Sequence, residues 1–158
     1  VNDTIRLRDV TDADLAVFFE FQLDPEANRM AAFTAEDPTD RDAFEAHWKR
    51  IRADESITFR TIIVDNAVVG HIASFLRDRE PEITYWIGRE HWGKGIATKA
   101  LAAFLAENGS RPLHARVAKD NAGSIRVLEK NGFTIIGEER GFANARGEEI
   151  DEIIFRLE

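Results

Sequence analysis

The chain has 158 residues, 44% of them hydrophobic and 32% charged, the balance of a folded domain rather than a disordered segment. A net charge of −8 argues against a nucleic-acid surface, which wants the opposite sign. With no cysteine, a disulfide framework, a thiolate metal site and a cysteine nucleophile are excluded. No apolar run approaches the ~20 residues of a membrane span, and VNDTIRLRD is not a signal peptide. The expectation is one domain over residues 1–158, cytoplasmic, monomeric or homodimeric, with no membrane or nucleic-acid partner.

Thr4–Val10 alternates apolar Ile5 and Leu7 with Arg6 and Arg8 and reads as a half-buried strand. Thr11 to Asp14 resembles a helix N-cap with acids in the first turn, opening a helix that runs to about Leu23, before Pro25. Residues 24–38 read as irregular. A second helix starts at Thr39–Asp42 and sets Phe44, His47, Trp48 and Ile51 on one face. Ile57–Asp65 and Val68–Arg77 flank a tight turn at Asn66-Ala67. Arg77–Pro81 is a polar break before a strand at Glu82–Gly88. The helix opened by Gly93-Lys94 carries Ile96, Ala97, Ala100, Leu101, Phe104 and Leu105 on one face. It stops at Asn108-Gly109, with Pro112 just beyond. Leu113–Ala118 is a short strand. The next helix runs from Asp120 or Asn121 to Asn131, where Gly132 suits C′ and Phe133 at C″ reaches back to Leu128. Phe133–Glu139 and Glu149–Leu157 close the chain around Gly141 and Gly147. The order βααβββαβαββ predicts an α/β fold with a mixed sheet of about seven strands and helices on both faces.

The chemistry concentrates in Glu82–Leu101, EITYWIGREHWGKGIATKAL. A strand, a glycine-containing loop and a helix start leave free N–H groups at the positive end of a helix dipole, which is an anion site. Three phosphate motifs compete for it. Gly88-x-x-x-x-Gly93-Lys94-Gly95 nearly matches the P-loop, but Gly95 stands where a Ser or Thr ligates magnesium. Gly93-x-Gly95-x-x-Thr98 fails the dinucleotide fingerprint at its third glycine. The third is an acyl-CoA pyrophosphate cradle made by the N–H groups of Gly93, Lys94, Gly95, Ile96 and Ala97. An ordinary strand-to-helix turn explains the same residues without a ligand.

Tyr85–Leu101, followed by Asn121-Ala-Gly-Ser124-Ile-Arg-Val-Leu-Glu-Lys-Asn-Gly-Phe133, resembles the GNAT N-acetyltransferase family, in particular its RimJ/RimL-like branch. The pair W-G-K-G-x-A-T-x-A-L and N-x-x-S-x-x-V-L-x-K-x-G-F carries the resemblance. These motifs span Glu82–Phe133, and the order of elements extends it from Arg6 to Leu157. It implies the GNAT, or acyl-CoA N-acyltransferase, fold with acetyl-CoA in a V-shaped opening between the strands at 82–88 and 113–118. It implies pantetheine along the backbone of Trp86, Ile87 and Gly88, the pyrophosphate over Gly93–Thr98, and an oxyanion donor near the Ile87 N–H. It also implies Ser124 as the donor to the leaving thiolate, and Glu82 as the general base. Two positions depart from the family pattern. Glu90 stands where Gln or Arg is common, and Leu128 stands where many members place a thiolate-protonating tyrosine.

Each candidate has a second explanation. Glu82 is either the base or a solvated strand-start carboxylate. Ser124 touches the sulfur, or only occupies the first turn of a helix capped by Asn121. His71 is an alternative base or a hydrogen-bonded structural histidine. His47, His91 and His114 lack metal-ligand spacing, so no metal is assigned. Arg89, Lys94 and Lys99 outnumber Glu90 in the loop and, with Arg126, either reach CoA phosphates or stay solvated. Phe33, Trp48 and Trp86 line an acceptor pocket, unless Phe33 and Trp48 belong to the core. The expected function is transfer of acetyl from acetyl-CoA to a primary amine, of a peptide N-terminus or a small molecule, by direct attack. The alternative is a CoA-binding regulatory module of the same fold without catalysis.

Overall fold

A computed structural model describes residues 4–158. The strands are β1 Ile5–Arg8, β2 Thr58–Val64, β3 Ala67–Arg77, β4 Glu80–Ile87, β5 Leu113–Ala118, β6 Thr134–Ala143 and β7 Glu148–Leu157. The helices are α1 Asp12–Gln22, α2 Pro25–Ala31, α3 Arg41–Ala53, α4 Ile96–Glu107 and α5 Ala122–Lys130. The strands form one seven-stranded sheet in the order β1-β2-β3-β4-β5-β7-β6, antiparallel at every step except β4–β5. This is the mixed sheet the sequence predicts.

Side chains alternate across the strands, and the alternation sorts apolar residues to two faces. On one face Ile62, Val69, Ile72, Ile83 and Ile87 meet Ile96, Ala100, Leu101 and Phe104 of α4 and Leu128 of α5. On the other, Phe18 and Phe19 of α1 and Phe44 and Trp48 of α3 cover Phe59 and Val68. Burying each large apolar side chain contributes about 2–3 kcal/mol. His71 belongs to this second face, its ring 4.5 Å from that of Phe18 and 5.2 Å from that of Trp48. Burial, with a smaller push from His47, lowers its pKa to about 4. It is a neutral packing group away from the opening, which argues against its use as a base. Trp48 is likewise core, whereas Phe33, for which a core place was the alternative, is 39% exposed.

Asp14 fastens α1 to the sheet. It is 2% exposed and accepts from Arg8 at 2.6 and 2.9 Å, from the Thr11 N–H at 2.9 Å and from the Thr61 hydroxyl at 2.7 Å. Burial alone would raise its pKa, but Arg8, Thr11 and Thr61 together hold it down at about 2.

Four local expectations change. Gly141, expected in the closing turn, lies inside β6 and pairs with Ile150. Residues 24–38 contain α2, capped by Asp24 accepting from the Ala27 N–H at 3.3 Å, with Pro25 at the first helical position. At seven residues the helix is too short to show a period. The β2–β3 turn is Asp65-Asn66, with φ of 50° and 66°, one residue earlier than expected. The supposed break at Arg77–Pro81 is a hairpin through Asp78 and Arg79, with φ of 51° and 71°. Two positive φ values match the twist of paired strands, and Arg79 gives no hint of such a turn.

The opening that positions the site follows from the register. The parallel strands β4 and β5 pair at Glu82 and His114 alone, while β5 is paired along its whole length with β7. Beyond Glu82 the two parallel strands part.

Candidate active site

The parting of β4 and β5 continues into a cleft of about 530 Å³, floored by Tyr85, Trp86 and Ile87. Gly88 donates its N–H to the Val69 carbonyl at 2.9 Å. The alternation of an antiparallel ladder therefore turns the N–H and C=O of Ile87 away from β3 and toward the opening. Trp92 Nε1 donates to the Ile87 carbonyl at 2.8 Å, so the Ile87 N–H is the backbone donor left facing the cleft.

Beyond β4 the chain passes a single 3-10 turn and reaches Gly93 and Gly95, both at φ 76°, where side chains are strained. A Cβ at either position would meet nothing within 4 Å. Backbone shape, not crowding, calls for glycine here. Gly95 caps α4 without any side-chain hydrogen bond. The first bond inside α4 runs from the Lys99 N–H to the Gly95 carbonyl at 3.2 Å. The amides of Ile96, Ala97 and Thr98 thus have no acceptor within the helix, and all three residues line the cleft. Arg126 and Lys130 of α5 line it from the other side. Free amides at a helix start facing two cations suit a diphosphate.

Asn121 organises the start of α5. Its Oδ1 accepts from the Ser124 N–H at 3.2 Å, and its Nδ2 donates to the Met30 carbonyl at 3.3 Å, tying α5 to the end of α2. Asn121, Ser124 and Tyr85 line the same cleft. Leu128 is fully buried in the core. The helix ends as predicted, with Phe133 N–H bonded to the Leu128 carbonyl at 3.1 Å, Gly132 N–H to that of Glu129 at 3.0 Å, and Gly132 at φ 88°.

The structure brings Trp86, Ile87, Gly93, Gly95, Ile96, Ala97, Thr98, Asn121 and Ser124 together around one cleft. Gly88, Lys94 and Glu82 are not among its lining residues. Gly88 spends its N–H on Val69 and its carbonyl on the His91 N–H, and a Cβ there would meet the Phe21 ring at 2.5 Å. Its glycine answers to α1, not to a ligand. Lys94 and Lys99 are exposed and lie off the walls. Arg89 pairs with Asp24 at 3.2 Å. Glu82 is 5% exposed at the closed end of the opening, where Arg77 donates to its two oxygens at 2.9 and 3.1 Å and Arg116 adds a contact at 3.3 Å. With each oxygen engaged, that placement argues against Glu82 as a base. Sequence reasoning missed Lys130 and His91. Lys130 lies four residues after Arg126, hence on the same helix face, and that spacing could have found it.

The remaining wall comes from α2, which the end of the β6–β7 hairpin braces. Ala27, Met30 and Ala31 line the cleft. Ala32, at φ 64°, is fully buried with Ala118 and Ala143. Ala145 N–H bonds the Ala32 carbonyl at 3.1 Å, Asn144 Nδ2 the Thr34 carbonyl at 2.7 Å, and Arg146 Nε the Arg29 carbonyl at 2.6 Å. Arg146 also pairs with Asp120 at 2.8 and 3.0 Å. Three segments far apart in the chain are thereby locked together.

Residues 4–134 match the family model described as an acetyltransferase (GNAT) domain. The chain belongs to the GNAT acetyltransferase family. Among relatives, uncharacterized N-acetyltransferase p20 of Bacillus licheniformis is 29% identical over 165 residues, covering 98% of this chain and 91% of that protein. RimJ of Mycobacterium smegmatis, solved in complex with CoA-disulfide, is 23% identical with a TM-score of 0.81, covering 97% of this chain and 81% of that one. The microcin C7 self-immunity acetyltransferase MccE, solved with acetyl-CoA and AMP, is 19% identical with a TM-score of 0.82, covering 99% of this chain and 93% of that one. The two structures speak for the fold. Membership of the GNAT family makes acetyl transfer the chemistry of this chain. Among the described residues, no helix is long and apolar enough to cross a membrane, and no group of three or more His, Asp or Glu is placed to hold a metal ion.

Proposed function

We propose that this GNAT domain, acting as a single unit over residues 1–158, moves acetyl from acetyl-CoA to an α-amino group. A peptide N-terminus is the first acceptor proposed and a small-molecule α-amine the second. The observation that carries this is the ionisable lining of the cleft. Among the described residues it consists of His91, Arg126, Lys130 and Tyr85, with no carboxylate. Such a lining attracts a polyanionic donor and offers the acceptor no acidic base.

An amine must lose its proton before it attacks. At pH 7 that costs about 1.4 kcal/mol for an α-amine of pKa ~8 and about 5 kcal/mol for a lysine of pKa ~10.4. Without a carboxylate beside it, the amine gives its proton to water, which the α-amine does at far smaller cost. Attack is direct, since the chain has no cysteine to carry an acyl group.

In this proposal the amides from Gly93 to Thr98 hold the pyrophosphate, with Arg126 and Lys130 opposite. The glycine shape at φ 76° and the open space in front of it fit that group. The Ile87 N–H serves the oxyanion and the Ser124 hydroxyl serves the leaving thiolate. Trp86 borders the acceptor. Glu82 braces the closed end of the opening through Arg77 and Arg116. The motifs and the RimJ likeness support a place in the RimJ/RimL-like branch, and the use of acetyl-CoA supports the cytoplasm as its compartment. A regulatory module that only binds CoA is the competing proposal.

The test offers acetyl-CoA and two peptides, one with a free N-terminus and no lysine, the other N-terminally blocked with one lysine. Thiol release and mass spectrometry follow the acetyl group. The expected result at pH 7 is modification of the free N-terminus in preference to the lysine. Faster lysine acetylation would reject the α-amine assignment, and CoA binding without turnover on any amine would favour the module.

A further inference from the structure

Tyr85 carries a group that no interaction in the fold explains. Its hydroxyl is buried, yet makes no well-formed hydrogen bond to any described residue. Leaving a buried hydroxyl unpaired destabilises a fold. Tyr85 is the residue of the cleft floor two positions before Ile87, on the same side of β4, with its ring packed against the main core. Across the cleft stands Ser124. The Ser124 side chain adjoins the phenol closely enough to draw its pKa down, although burial is the stronger influence and leaves it at about 12. The backbone of Ser124 is itself fixed by Asn121.

We propose that Tyr85 is a positioning residue for acetyl transfer: its hydroxyl donates to Ser124 Oγ and aims the serine O–H at the sulfur of the thioester. The inference rests on the role given to Ser124 above. A serine hydroxyl has one donor and two acceptor sites. Once Tyr85 fills an acceptor site, the single donor has to point elsewhere, and the cleft is the open direction. A phenol pushed up to about 12 stays protonated throughout the working range, so it acts as a donor and never as an acid.

The balance of the step follows. The nitrogen lone pair forms the C–N bond, the C–S bond breaks, and its electron pair goes to sulfur. The amine proton goes to water. The thiolate is held by the Ser124 O–H until water protonates it, and neither Ser124 nor Tyr85 loses a proton. Leu128 leaves the end of α5 without a donor, and the Tyr85–Ser124 pair supplies one from β4 and the start of α5 instead.

The experiment compares Tyr85→Phe, Ser124→Ala and the double variant in the full chain, by thiol release with a working amine acceptor. Removing the hydrogen bond to the neutral Ser124 hydroxyl, and with it the aim of the serine donor, predicts that Tyr85→Phe lowers kcat about five- to tenfold, with KM for acetyl-CoA changed less than about twofold. In the Ser124→Ala background Tyr85→Phe adds no further loss of turnover and does not lower Tm, because the phenol there has lost its partner. A kcat for Tyr85→Phe within about twofold of the parent, losses that multiply in the double variant, or a Tm lowered further by Tyr85→Phe in the Ser124→Ala background would each overturn the inference. Unchanged turnover in Ser124→Ala would remove the role of Ser124 itself, a result distinct from silence of Tyr85→Phe alone.

Discussion

The two sides of the cleft are built by opposite means. The side under α4 and α5 comes from one nearly continuous run, 85–130, in which the loop glycines and the helix cap answer to local backbone shape. Gly93 and Gly95 need positive φ, Asn121 caps α5, and Gly132 ends it. The side formed by α2 is held from afar by the β6–β7 hairpin, through contacts such as Arg146 to Arg29 across 117 residues. Its specificity lies in small buried alanines and in carbonyls held by side chains. The α4–α5 side is encoded within one stretch of chain, whereas the α2 side takes shape only once distant segments have met.

That division can be broken experimentally. Gly95→Val should have the largest effect. A β-branched side chain at φ 76° adds about 1–3 kcal/mol of strain where the α4 amides converge, so acetyl-CoA affinity measured by calorimetry falls roughly 10- to 100-fold. An unchanged affinity would mean that the loop shape is not the cradle. Glu82→Ala comes next. It leaves Arg77 and Arg116 without their shared acid at the closed end of the opening, with an expected loss of about 2–3 kcal/mol in denaturant unfolding. Acetyl-CoA affinity should survive. If turnover of the folded enzyme collapsed while stability held, Glu82 would be a base after all.

Arg146→Ala acts on the other wall. It frees the β6–β7 end from Arg29 and Asp120 and should lower kcat/KM for the acceptor about tenfold, with acetyl-CoA affinity unchanged. Loss of CoA binding in this variant would show that the two walls are not separable. The smallest effect is a matter of pH. His71 in the folded chain resists protonation until about pH 4, against 6.5 when unfolded, so the unfolded chain takes up the proton first. Its contribution is complete above about pH 6.5 and is lost as the pH falls toward 4. His71→Phe should therefore flatten the decline of Tm over that window, checked by thermal melts at a series of pH values.

How far the sequence told all this depends on the range of each interaction. The helix bounds of α4 and α5, the Schellman end at Phe133 and the glycine loop were legible because their signals lie within a few residues of one another. The alternation of β4 turns Ile83, Tyr85 and Ile87 to the main core. It could not reveal that Arg77 folds back across a two-residue hairpin onto Glu82, five residues later, since Asp78-Arg79 lacks the glycine or asparagine of such turns. Gly88 reads from the sequence as pantetheine-pairing backbone at the end of the strand, but the Phe21 ring that demands a glycine there comes from α1. The sequence leaves Phe33 between pocket lining and core, and the chain around it, held through the Ala32 and Thr34 carbonyls, leaves the ring exposed. Tyr85 stood in the central motif throughout, and only the placement of its hydroxyl beside Ser124 gave it a task.

The most direct test is the pH dependence of kcat/KM for two acceptors whose amines differ in pKa, an α-amine near ~8 and an ε-amine near ~10.4. With no carboxylate in the cleft to take the proton, the profile should rise with the free amine and its break should move by about two pH units between the two acceptors. A break that stays at one pH for both would place the titrating group on the protein and contradict this account.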